Sequence, residues 1–238
     1  MRIALITNEN LHHKYWVYTL YKHLNVKLII HPKKKNLIDN LKSKNILRRG
    51  FLPFSLKLFS LIYDLISPYS IRNSLVKMEN IFFSNYKSKY ESLPKNIIHK
   101  VSSINDSDCI NLVKEKNIDV ICFLGGEIAK KEIINSPNVI SLNYHSGLSP
   151  YYNGSKTIFH AVADYYPNYS GGTLMAINQK IDGGDIFAHF LPSINRADTA
   201  ASLFMKGIVG STKLFRILIH ILEINTNIKG LKQTNSKN

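Results

Sequence analysis

An open α/β sheet, mostly parallel, twisted and flanked by helices, is what this sequence predicts. Three observations carry that expectation. Arg2 to Thr7 and Val120 to Leu124 are short apolar runs that stop at polar or glycine residues, the pattern of strands buried on both faces. A helical stretch and a second apolar run, Val26 to Ile30, follow the first strand closely, which is the size of a parallel strand–helix–strand unit. Later apolar runs alternate with helical patterns up to a last long helix, and no segment repeats.

In chain order, the first strand runs into polar Asn8-Glu9-Asn10, and a helix is expected from His13 to Leu24, with Tyr15, Trp16, Thr19, Leu20 and His23 at helical spacing. The turn between them contains His12, His13 and Lys14 but no glycine-rich phosphate loop, which excludes a dinucleotide fingerprint. His12, His13 and Lys14 can meet a phosphate or a sugar by side chain instead. Residues 31–95 are the least patterned. They hold a basic loop from His31 to Lys35, the pair Arg48-Arg49, and an apolar stretch from Phe51 to Ile66. That stretch suits a helix buried against the sheet, a dimer contact or a membrane surface. One helix is expected over Asn73 to Tyr90, with Lys77 and Glu79 on its polar side.

Further elements follow: a strand Ile97 to Val101, a helix Ser107 to Lys116, the strand Val120 to Leu124 closed by Gly125-Gly126, and a short helix Lys130 to Asn135. A strand Val139 to Leu142 then delivers Asn143. A helix Ser155 to Tyr165, a strand Thr173 to Ile177, a loop Asn178 to Gly184 and a strand Asp185 to Phe190 come next. The last helix is expected from Asp198 to Leu222, capped by Asp198 or Thr199, and the tail from Asn225 reads as polar and frayed. The expected division is a catalytic domain over 1–191 and a C-terminal helical extension with a frayed tail over 192–238, the sheet closing on a short C-terminal strand/helix extension.

Composition narrows the class. An apolar fraction of 45% in 238 residues supports a real core. Cys109 and Cys122 sit in apolar or helical contexts without metal spacing and read as buried thiols. No run approaches a membrane span, and the opening apolar run is too short for a signal peptide, so the expectation is a cytoplasmic protein. The net charge of +15 is uneven: residues 1–100 hold 18 Lys and Arg against 5 Asp and Glu, and the remainder 13 against 11. The basic half could attract a phosphorylated substrate, nucleic acid or an acidic membrane surface, or be no more than solvated lysine.

The stretch from Ser141 to Gly154 carries the chemistry. Asn143 and His145 stand two apart, so an extended chain points both to one face. A turn-rich stretch, Gly147 to Gly154, follows, and Asp182 stands in Ile181-Asp182-Gly183-Gly184-Asp185 with Asp185 as its rival. Amide, imidazole and carboxylate together form a kit for holding an oxyanion and moving protons. Taken singly each has a blander role in a turn or a core; His160 and His189, on periodic apolar elements, read as structural.

This combination resembles the folate-dependent formyltransferase family, which carries Asn-x-His, then a Ser-x-x-Pro loop ending in Gly, then an Asp in an Asp-x-Gly-Asp-like turn. The resemblance runs from about Ile118 to Leu191 and implies a Rossmann-like formyltransferase fold. It implies a catalytic set of Asn143, His145 and Asp182. It places Gly126, Glu127, Ile128 and Ile181 at the co-substrate N10-formyltetrahydrofolate, with no metal. It places His13, Lys14, Tyr151, Asn153, Gly154 and Lys156 at the acceptor. Asn153 stands where many members have Arg, so acceptor contacts differ. Members acting on methionyl-tRNA usually add a C-terminal barrel, and those acting on glycinamide ribonucleotide begin with a phosphate loop. What remains is similar to the short sugar-nucleotide N-formyltransferases, which modify dTDP- or UDP-linked amino-deoxysugars for surface polysaccharide. The expected partners are a nucleotide-linked amino sugar and a second copy of the chain, through 51–66 or the last helix, without nucleic acid or stable membrane contact. The alternatives are formyl transfer to methionyl-tRNA or another amine, and a non-catalytic basic protein that binds RNA or a membrane surface.

Overall fold

A computed structural model describes residues 1–33 and 70–233, with Tyr63 and Ser67 between them. The basic residues after Lys33 and the apolar stretch 51–66 lie outside the described residues, apart from Tyr63.

Seven strands form one sheet in the order β3-β2-β1-β4-β5-β6-β7. They are β1 (Ile3–Thr7), β2 (Val26–Pro32), β3 (Ile98–Val101), β4 (Val120–Leu124), β5 (Ile140–His145), β6 (Gly172–Ala176) and β7 (Ile186–Phe190). The first five pair in parallel, and β6 and β7 close one edge antiparallel. The main helices are α1 (Leu11–His23), α2 (Ile71–Phe83), α3 (Tyr86–Glu91), α4 (Ser107–Glu115), α5 (Lys131–Ile134), α6 (Thr157–Ala163) and α7 (Ala200–Ile224).

The apolar runs alternate because both faces are covered. Ile3, Leu5, Val120, Cys122 and Leu124 face a core built with Trp16 and Leu20 of α1 and with Met205, Ile208, Phe215 and Leu222 of α7. Ala4, Ile6, Ile121 and Phe123 face the other core, under Cys109 and Val113 of α4. Both cysteines are free and buried, and burial lifts the Cys109 thiol to about 11.

Two expectations are corrected. The helix expected over Asn73 to Tyr90 breaks at Ser84-Asn85 into α2 and α3. Serine and asparagine are weak helix formers, and the break lets Phe83 stack on Tyr15 at 4.4 Å while Tyr86 meets it edge-on at 4.7 Å. The segment after residue 191 also packs inward, where α7 supplies much of the larger core. The tail is not frayed as far as Gln233, because Leu231 pairs antiparallel with Ile186 and satisfies the open edge of β7. The last helix begins one residue after Thr199, whose hydroxyl and the Ser202 side chain cap each other's backbone.

Strands β2 and β3 step to one side of β1, and β4 steps to the other. The ends of β1 and β4 therefore flank a switch point, where open sheets of this kind hold their ligands. The two loops meet there closely. Gly125 has φ +64°, and a Cβ on it would sit 3.5 Å from the His13 ring and 3.9 Å from the Asn8 amide.

Candidate active site

A cleft of about 680 Å³ opens at these strand ends. Asn143, His145 and Asp182 line it together, although the chain separates Asp182 from the other two by a helix and a strand. Strand β5 runs through His145 rather than stopping at Leu142, so Asn143 and His145 share a face by strand geometry alone. Tyr144, between them, turns inward, and burial raises its phenol well above the ordinary range.

The imidazole of His145 is nearly buried and lies between two acceptors. Its Nδ1 is 3.3 Å from Asp182 Oδ1, and its Nε2 is 2.9 Å from the carbonyl oxygen of Tyr152. The other Asp182 oxygen accepts from the backbone N–H of Gly154 at 2.9 Å. Asp182 thus ties the loop after β5 to the loop after β6. Gly147 makes this fit possible, since a Cβ there would lie 2.5 Å from both His145 Nε2 and the Tyr152 carbonyl. The loop is fixed further by the Thr173 hydroxyl, which accepts from Ser149 N at 2.9 Å and donates to Gly147 O at 2.7 Å. The Thr157 hydroxyl also donates to the Ser146 carbonyl. The Asn143 amide makes no hydrogen bond with any described side chain or backbone group and faces the cleft, a donor left available for a ligand.

A second imidazole–carboxylate pair reaches the same cleft through its histidine alone. His12 Nδ1 meets Glu79 Oε1, both side chains being largely buried. The His12 ring lies 3.8 Å from that of His13 and meets Phe204 edge-on at 5.4 Å.

The other expected residues divide. His13, Gly126, Glu127, Ile128, Gly154, Lys156 and Ile181 line the cleft. Glu127 is also anchored, accepting from the Ser103 hydroxyl at 2.8 Å and Ile104 N at 3.1 Å. Ile128 and Ile181 are each 70% exposed, apolar faces open to a ligand. Lys14, Tyr151 and Asn153 stand outside the cleft wall. Lys14 lies over the Tyr90 ring at 5.4 Å, Tyr151 packs edge-on against Tyr169, and the Asn153 side-chain Oδ1 accepts from the Ser149 hydroxyl at 2.7 Å. Asp185 is also outside it. His160 and His189 are exposed rather than buried, and His189 Nε2 meets the Ser149 carbonyl at 2.9 Å. Sequence reasoning missed Leu75 of α2 and Phe204 and Ile208 of α7 as cleft wall. Their apolar periodicity was visible, but not which element they would meet.

The formyl transferase family model matches residues 74–209, more than half of the chain. The chain belongs to the formyl transferase family. Among curated relatives, the methionyl-tRNA formyltransferase of Natranaerobius thermophilus is 31% identical over 108 residues, covering 45% of this chain and 34% of that protein. That of Buchnera aphidicola is 29% identical over 143 residues, covering 59% of this chain and 44% of its own length. The match thus spans less than half of these relatives. Among solved structures, a sugar N-formyltransferase from Shewanella superposes with a TM-score of 0.57 at 15% identity, over 100% of this chain and 74% of that one. An N-formyltransferase from Helicobacter canadensis, solved with folinic acid and dTDP-3-aminofucose, gives 0.54 at 19% identity, over 99% and 68%. At these identities the likeness is one of fold.

Proposed function

We propose that this formyl transferase moves the formyl group of N10-formyltetrahydrofolate to the amine of a dTDP- or UDP-linked amino-deoxysugar, a dTDP-4-amino-4,6-dideoxyhexose in the first instance, for surface polysaccharide. The observation that carries the reading is the meeting of the free Asn143 amide with the His145–Asp182 pair in one cleft. When an amine attacks a formyl carbon, negative charge develops on the formyl oxygen. A fixed amide donor lowers that barrier, and Asn143 offers one. The amine must lose a proton and the departing nitrogen must gain one. An imidazole can accept the first proton and return the second, and His145 stands where it can do both. Asp182 orients the ring and gives a cationic ring a partner.

The walls suit a flat, partly apolar donor. Phe123, Leu124, Ile177 and Ile208 supply apolar surface, and the open backbone at Gly126 to Ile128 supplies polar edges. A sugar acceptor is supported by one fold neighbour named as a sugar N-formyltransferase and another solved with dTDP-3-aminofucose. Methionyl-tRNA is the second reading, favoured by the names of the sequence relatives. The test is formyl transfer from N10-formyltetrahydrofolate to a panel of nucleotide amino sugars and to methionyl-tRNA. A formylated sugar product is expected; reaction with methionyl-tRNA alone would reverse the choice of acceptor.

A further inference from the structure

Asp182 stands at φ +50°, a backbone conformation that L side chains rarely adopt. Something must hold it there. Within its own loop the Asn178 amide donates to Gly183 O at 2.8 Å, and Gly183 N reaches Lys180 O at 3.3 Å. These bonds shape the loop but leave the carbonyls of Asp182 and Gly184 unclaimed. Gln233 claims both: its Nε2 donates to Asp182 O at 2.8 Å and to Gly184 O at 2.7 Å. One primary amide carries two diverging N–H bonds, so it can serve two carbonyls two residues apart. Leu231 brings it there. Its backbone exchanges two 2.8 Å hydrogen bonds with Ile186, just beyond the loop. The approach is flush at Gly230, where a Cβ would lie 2.9 Å from Ile186 O.

We infer that Gln233 is a positioning residue for formyl transfer: its side-chain amide clamps the loop that presents Asp182 to His145. The inference rests on the reading of Asp182 as part of the transfer machinery. Loss of the clamp frees the Asp182 backbone to leave the left-handed region, and the 3.3 Å contact with His145 goes with it. Most of the cleft wall lies outside this loop, so the loss should appear chiefly in kcat and only weakly in KM.

The experiment follows tetrahydrofolate release from N10-formyltetrahydrofolate with dTDP-4-amino-4,6-dideoxyglucose as acceptor. It compares the unaltered chain with Gln233→Glu, Gln233→Leu, Asp182→Asn and the double variants. Gln233→Glu keeps the shape but has no N–H to give, and Gln233→Leu removes the polar group altogether. Each should lower kcat about tenfold with both KM values within about twofold. In the Asp182→Asn background the same changes should cost less than about twofold, because the clamped group is already disabled. Folded Gln233 variants with unchanged kcat would overturn the inference and leave the reading of Asp182 intact. So would an equal tenfold loss in the Asp182→Asn background. Full turnover by Asp182→Asn would overturn the reading itself and the inference with it; no turnover by the unaltered chain would overturn the choice of acceptor, and the same comparison is then made with methionyl-tRNA.

Discussion

Two imidazole–carboxylate pairs stand at one cleft, and they are built differently: both members of one line it, and only the histidine of the other does. His145 sits on a strand and Asp182 on a loop, and the ring is held between Asp182 and the Tyr152 carbonyl with an open amide two residues away. His12 and Glu79 come from two helices, and the ring is packed among His13 and Phe204; the amide two positions before it, Asn10, stands at the start of α1 and off the cleft wall. The first arrangement can hold an oxyanion and pass protons. The second can shape and recognise a ligand. The lesson is that a carboxylate beside a histidine does not define a catalytic site; what stands next to the ring does.

That contrast can be broken most sharply at the first pair. His145→Ala and Asn143→Ala should each lower kcat by about 10² to 10³ while the protein stays folded, as removal of a proton carrier or oxyanion donor does elsewhere. Steady-state kinetics with circular dichroism checks both points, and near-normal turnover in either would move the chemistry to the other pair. Next in size is Gly147→Ala. The new methyl would have to share space with the His145 ring and the Tyr152 carbonyl at 2.5 Å. A loss of about 1–3 kcal/mol of stability is expected from denaturant unfolding, accompanied by lower kcat.

Glu79→Gln sharpens the contrast from the other side. It should raise KM for the acceptor several-fold, about 1 kcal/mol, with kcat nearly unchanged. A fall in kcat matching that of His145→Ala would erase the distinction between the pairs. The smallest effect belongs to a third imidazole. His31 is fully buried, with Nδ1 2.7 Å from the Thr7 carbonyl and Nε2 2.6 Å from the Tyr90 hydroxyl. Burial is the main cause that lowers its pKa below 6.5, and burial lifts that of Tyr90 to about 12. Below about pH 6.5 the unfolded chain takes up this proton before the folded one. Stability from His31 is therefore full above that pH and is lost as pH falls, by at most about 1.4 kcal/mol per unit. Chemical unfolding at pH 5 to 8 should show this slope, and His31→Gln should flatten it.

Strand positions were legible because burial on both faces leaves continuous apolar runs; β4 matches its expected bounds residue for residue. The i, i+2 pairing of Asn143 and His145 was legible for the same local reason. Helix ends were less so. α1 starts two residues early, at Leu11, because His12 and His13 are buried against other elements, which local pattern does not record. Lys14, Tyr151 and Asn153 were expected at the acceptor from the family resemblance; in the fold they meet Tyr90, Tyr169 and Ser149 and stand off the cleft wall.

The sequence alone determined the α/β class, the strands and the shared face of Asn143 and His145, all of which follow from interactions between near neighbours; Asp182 was chosen over Asp185 only through the family resemblance. Tertiary structure decided the rest: that the last helix walls the cleft, that Glu79 stands behind His12, and that Gln233 holds the loop carrying Asp182. These contacts join residues more than fifty apart, and such meetings are set by how the faces of the sheet are covered, not by any local pattern.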